Sequence, residues 1–90
     1  MAEERYRIDF SEEASKGLSK LDKQVQKRIL LAVDKLRTNP RPDGVKKLKG
    51  GSNEWRIRVG DWRIVYEIHD GRLVVIVLDV DHRSKVYKTK

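Results

Sequence analysis

The chain has 90 residues, 38% apolar and 39% charged, with a net charge of +7 and no cysteine. That length suits a single domain over residues 1–90 with a small core, and the lack of cysteine excludes disulfides and thiolate metal sites. The longest apolar run, LVVIVL at 73–78, falls far short of the ~20 residues that span a bilayer, and the charged, alternating N-terminus does not read as a signal peptide. The expectation is a soluble cytoplasmic protein with no membrane contact, whose basic balance favours a polyanionic or acidic partner.

Residues 5–10, RYRIDF, put Tyr6, Ile8 and Phe10 on one face and predict a half-buried strand. Ser11 is placed to cap a helix whose first turn carries Glu12 and Glu13, where the helix dipole favours acids. Ala14, Leu18 and Leu21 form its stripe, and Gly17 weakens it by about 1 kcal/mol relative to Ala. Asp22 can cap a second helix, with Val25, Ile29, Leu30, Val33 and Leu36 as its stripe and Asn39-Pro40 beyond its end. The short break between the two predicts an αα-hairpin.

RPDG at 41–44 is turn chemistry, and VKKLKGG at 45–51 is a basic strand or loop closed by two glycines. Three strands follow at about 55–59, 62–69 and 72–80, joined by a type II′ turn at Gly60-Asp61 and a type I′ turn at Asp70-Gly71. The order β-α-α-β-β-β-β predicts an α+β domain. An N-terminal strand and an αα-hairpin pack on one face of a mostly antiparallel sheet of about four to five strands.

With Gly60-Asp61 as a two-residue loop, Val59 pairs with Trp62, Arg58 with Arg63, Ile57 with Ile64, Arg56 with Val65, and Trp55 with Tyr66. Opposed residues share a face and faces alternate along a strand. Trp55, Ile57, Val59, Trp62, Ile64, Tyr66 and Ile68 therefore form a core face, and Arg56, Arg58 and Arg63 gather on the other. Arg58 directly across from Arg63 is a local cost. One reading is a solvated outer face that Glu67 partly neutralises; the other is a phosphate-binding surface. Taking Asp70-Gly71 as the second loop pairs Arg63 with Leu78 and Val65 with Ile76. That register would give the arginines an apolar floor, and a lower local dielectric would strengthen Arg–phosphate contacts. His82, Arg83 and Tyr87 follow this strand and can return to the same rim. Taken singly, His82 fits a surface or capping residue and Tyr87 a packing aromatic; His69 beside the turn reads as surface.

LKG at 48–50, WRIRVGDWRIVYEI at 55–68 and VDHRSKVY at 80–87 together resemble the RelE/ParE toxin superfamily, on the RelE side, over nearly the whole chain. The resemblance implies a RelE-like fold and the toxin of a type II toxin–antitoxin pair. It further implies a ribosome-dependent mRNA endonuclease acting in the A site, in which the ribose 2′-OH attacks the adjacent phosphate without a metal or other cofactor. The partners it implies are a cognate acidic antitoxin and the ribosome with mRNA in its A site. Matched by motif, the family's active-site residues fall on Arg56, Arg58, Arg63, Arg83 and Tyr87.

Arg63 and Arg83 would stabilise charge on the phosphoryl oxygens, a role whose removal costs about 10²–10³ in rate in comparable sites. Arg56 and Arg58, with Lys46, Lys47 and Lys49, would bind flanking phosphates. Relatives carry Lys where this chain has Arg56 and Arg58, and Arg cannot readily lose its proton. The proton acceptor therefore stays open between Tyr87, His82, Lys47 and Lys49. Two other classes fit the same fold: a gyrase-inhibiting toxin of the ParE side, and a catalytically inactive fold-mate that only binds antitoxin or nucleic acid.

Overall fold

The structure, a computed structural model, describes residues 5–48 and 53–82. Arg7–Phe10 form strand β1, followed by helices α1 (Glu12–Ser19) and α2 (Lys23–Asp34) and a short 3-10 turn, Lys35–Arg37. Strands β2 (Lys46–Lys47), β3 (Glu54–Val59), β4 (Trp62–His69) and β5 (Val74–His82) complete a five-stranded sheet in the order β1-β5-β4-β3-β2. Only β1 pairs in parallel, with β5. The α+β architecture expected from the element order is present. None of the described helices is long and apolar enough to cross a membrane.

The helix starts follow from local chemistry. Ser11 Oγ accepts from the Ala14 amide at 3.0 Å and donates to the Leu78 carbonyl at 2.9 Å, so one hydroxyl caps α1 and ties it to β5. Asp22 accepts from the Val25 amide at 3.1 Å and caps α2. Each cap contributes about 1 kcal/mol. Gly17 has a tertiary reason that outweighs its low helix propensity. A Cβ there would sit 3.0 Å from the Val80 carbonyl oxygen, so glycine lets α1 close onto β5.

The core lies between the helices and one face of the sheet. Ile29, Val33 and Leu36 meet Ile57, Ile64, Tyr66, Ile68, Val75, Val77 and Val80, and Ala14 joins them from α1. Tyr66 is fully buried, and its hydroxyl donates to the Pro40 carbonyl at 2.7 Å. Burial pushes that phenol up to about 12, so it stays a neutral donor. A second tie holds the segment leading into β2. Arg41 forms a two-pronged ion pair with Asp70, at 3.2 and 2.8 Å, while the Tyr6 hydroxyl donates to Asp70 at 2.6 Å.

The first hairpin has the expected register, with Val59 opposite Trp62 and Arg58 opposite Arg63. Gly60 takes φ 61° while Asp61 does not have positive φ, the pattern of a type II′ turn. The second hairpin differs from expectation. Asp70–Arg72 form a 3-10 turn and Leu73 closes it in the left-handed region at φ 55°, so the loop has four residues and His69 pairs with Val74. A bulge between Val65 and Tyr66 then inserts Leu78 into β5. Both changes shift the register: Arg63 faces Asp81 rather than Leu78, and Val65 faces Asp79 rather than Ile76.

Candidate functional site

Arg56 and Arg58 on β3 and Arg63 on β4 share the face turned away from the helices, by the alternation that sends Ile57, Ile64 and Tyr66 into the core. Arg58 is exposed, Arg56 is half-buried, and Arg63 is 4% exposed. Arg63 is the one charged residue buried among those described. In the ladder it lies between a like charge, Arg58, and an opposite one, Asp81. Lys46 on β2 is opposite Arg56 and extends the basic strip to the sheet edge. Lys46, Arg56 and Arg58, with Gly44 and Ile57, line a groove of about 320 Å³. Three cations around one groove, with no carboxylate lining it, suit a phosphate-bearing ligand.

The neighbouring strand carries acids where an apolar floor was expected. Asp79 and Asp81 fall opposite Val65 and Arg63. Burial first, then hydrogen bonding with Asp81 and the charges of Asp81 and Glu13, pushes the Asp79 carboxyl up to about 6, against a smaller lowering by the Val80 amide. The face is thus divided, with cations on β2, β3 and β4 and carboxylates on β5 and at Glu54 and Glu67 beyond Arg56. Glu67 lies opposite Glu54, two rows from the arginines, and is 2.9 Å from the His69 ring. No local signal in the sequence marks Asp81 as the partner of Arg63, because that depends on the four-residue loop and the bulge together.

Two candidates stand elsewhere. Lys47 is opposite Trp55 on the helix-bearing face, with its Nζ 5.5 Å from the indole centroid. Arg41, not singled out from the sequence, also contacts that indole, at 4.9 Å. His82 is opposite Trp62, with ring centroids 5.0 Å apart and planes at 87°. Because Trp62 belongs to the core face, His82 shares that face rather than the arginine face. Lys49, Arg83 and Tyr87 lie outside the described residues.

Comparison with known proteins gives a consistent picture. The family described as ParE toxin of type II toxin-antitoxin system, parDE, matches residues 8–87. The chain is similar to the mRNA interferase toxin RelE of Escherichia coli K12, 31% identical over 91% of this chain and 90% of the relative. Among solved structures it is similar to RelE in the archaeal RelE-RelB complex of Pyrococcus horikoshii, with TM-score 0.79, 29% identity, and coverage of 90% of this chain and 98% of that one. The intact E. coli RelBE toxin-antitoxin complex gives TM-score 0.75 and 29% identity, over 86% of this chain and 95% of that one.

Proposed function

The chain belongs to the RelE/ParE toxin superfamily of type II toxin–antitoxin systems, and on that premise we propose that it is a ribosome-dependent mRNA endonuclease whose RNA-binding face is the arginine strip of β3 and β4. It acts in the cytoplasm, on mRNA in the ribosomal A site. One observation carries this reading: Arg58 and Arg63 are held directly across from each other, and the second is buried. A like-charge pair lowers stability, and a sheet selected for stability alone would place an acid or a Thr there. An RNA backbone threaded over the strip adds negative charge beside the arginine pair, in addition to Asp81 opposite Arg63.

The chemistry needs three things: a proton removed from the 2′-OH, charge neutralised on the phosphoryl oxygens, and a proton given to the leaving 5′-oxygen. Arg63 meets the second need. Its guanidinium is fixed by burial, so it needs little reorganisation as charge develops on the phosphate. Arg56, Arg58 and Lys46 hold the flanking phosphates, and the resemblance adds Arg83 beside Arg63. For the first need, His82 and Lys47 share the helix-bearing face, which leaves Tyr87 and Lys49 as the candidates; the group that takes the 2′-OH proton meets the third need by returning it to the 5′-oxygen as the P–O5′ bond breaks, which leaves a 2′,3′-cyclic phosphate and a 5′-OH. No metal is required, because guanidinium groups take the electrostatic role.

The test is a reconstituted translation system in which mRNA 5′ ends are mapped. Cuts within A-site codons are expected from the wild-type protein and not from Arg63→Ala or Arg83→Ala. The matched family's ParE name favours a second reading, gyrase inhibition. Intact mRNA together with blocked DNA supercoiling would establish that reading instead.

A further inference from the structure

Strand β2 covers only part of the β3 edge. It pairs Lys46 with Arg56 and Lys47 with Trp55. The Glu54 carbonyl accepts from the Leu48 amide at 2.9 Å, so by alternation the main-chain groups of Glu54, Arg56 and Arg58 face the β2 side. Arg58 lies past the end of β2. Its N–H and C=O face outward, and no backbone bond closes them among the described residues.

Between this open edge and α2 is a second groove, of about 260 Å³. Ala32, Pro42, Ile57 and Val59 give it apolar walls, and Lys35, Asp43 and Arg58 give it charge. Gly44, Ile57 and Arg58 also line the groove of Lys46 and Arg56, so the two meet at Arg58. Helical spacing sets one wall: Arg28, Ala32 and Lys35 share a face, with the small residue between two cations. The Arg28 guanidinium overlies the β3–β4 turn, 3.2 Å from where a Gly60 Cβ would stand. The facing wall is tied down. The Val45 amide donates to the Pro42 carbonyl at 3.1 Å, closing a turn around Asp43, while Tyr66 holds Pro40 and Asp70 holds Arg41. Among the described residues, no hydrogen bond or ion pair engages the side chains of Arg28, Lys35, Asp43 or Arg58. Cations around a slot with apolar walls suit an anionic ligand that has a flat apolar body, and a nucleotide of single-stranded RNA is such a ligand.

We propose that the α2–β3 groove seats the base of an RNA nucleotide flanking the one attacked, and that Asp43 selects a base with an exocyclic amine over uracil. This rests on the reading of the arginine strip as an RNA-binding face. Arg58 holds the flanking phosphate, directly across from Arg63, and the sugar carries its base around the open β3 edge into the slot. Ala32, Pro42 and Val59 pack against the ring. A carboxylate only accepts hydrogen bonds, so Asp43 needs N–H groups on the edge of the base, and an amine supplies them. Uracil sets a carbonyl oxygen on each side of its single ring N–H, and those oxygens repel a carboxylate. Asp43 is exposed, so its charge reads the base without a cost to the fold.

The probes are 2′-O-methyl oligouridines of about seven nucleotides, each carrying one adenosine or one cytidine at a different position. One position is expected at which either base tightens binding about tenfold over uridine. Amide chemical shifts of the labelled protein should move at Ala32, Asp43 and Val59 with that strand. Asp43→Ala should abolish the preference, and Ala32→Phe, which fills the slot, should bring every strand to the all-uridine affinity. An unchanged Tm will show that the fold is retained, and Asp43→Ala decides the matter if Ala32→Phe does not fold. Several results would overturn the proposal: no binding, equal affinity for every strand, a preference undiminished in Asp43→Ala, or shifts confined to Arg56 and Arg63. Shifts at these amides with an acidic peptide and not with RNA would also overturn it and assign the groove to a protein partner. The probes have no 2′-OH and are not cut. Loss of the base preference therefore leaves the nuclease reading standing, and absence of A-site cleavage leaves this result intact.

Discussion

Arg63 carries a burial cost, and the proposed function gives that cost a use. Burying a cation is unfavourable unless an opposite charge accompanies it, and Asp81 takes that position on β5 while Arg58 opposes it from β3. The like-charge pair can be relieved by substitution. Arg58→Thr is expected to raise stability by about 0.5 kcal/mol and to weaken RNA binding, measured by urea melts and by titration with a short RNA. A variant that is both less stable and equally good at binding would contradict the assignment. Asp79 gives a pH signature. Its carboxyl is held up at about 6, so the native state keeps this proton more tightly than the unfolded chain, in which Asp titrates near 4. That contribution to stability is present below about pH 4 and is lost as pH rises through about 6. Asp79→Asn should therefore stabilise the protein at pH 8 by about 1 kcal/mol, after allowance for solvent screening, and add nothing at pH 4. Melts at the two pH values will decide it. Asp70 behaves oppositely: its hydrogen bonds from Arg41 and Tyr6 hold it down at about 2, so its contribution is present above about pH 4 and is lost as pH falls towards 2.

The two hairpins show what the sequence makes legible at the level of elements. The Gly60-Asp61 turn fixes its own register because glycine alone takes the first, positive-φ position easily, and from that the grouping of Arg56, Arg58 and Arg63 follows by alternation. The Asp70-Gly71 pair carries the same kind of signal and yields a different loop. Asp70 is held by Arg41 and Tyr6, and Leu73 rather than Gly71 takes the left-handed conformation. Those contacts reach across the chain from residues 6 and 41, so no local pattern at 69–74 announces them. The bulge at Leu78 compounds the shift and brings carboxylates rather than aliphatic side chains opposite the arginine strand. The helix pair was readable from its caps and stripes except at Leu30, which the stripe assigned to the buried face and which stands exposed. The closeness of α1 to β5 was not, because the meaning of Gly17 depends on the Val80 carbonyl. The tie between Tyr66 and Pro40 is likewise invisible in sequence. Tyr66→Phe should cost about 1–2 kcal/mol in a thermal melt through the orphaned carbonyl, with little change in RNA binding.

For the molecule as a whole, the sheet keeps its two faces distinct. One face carries the core under the helices, the other carries the cations, and the β1 edge stands at the far side from both β2 and the β3 arginines. A net charge of +7 steers the protein towards a polyanion, and the strip on β2, β3 and β4 gives that attraction a location. If Lys46, Arg56, Arg58 and Arg63 each meet a phosphate, the logarithm of RNA affinity should fall against the logarithm of salt with a slope of about −3. A slope near zero would place binding elsewhere. The central claim is that Arg63 stabilises the phosphate undergoing attack. Its direct measurement is the single-turnover rate of mRNA cleavage on programmed ribosomes, compared between wild type and Arg63→Ala at saturating toxin. A loss of about 10² or more is predicted, with Arg58→Ala losing less and both variants remaining folded. A folded Arg63→Ala variant that cuts within a few-fold of the wild-type rate would contradict the account.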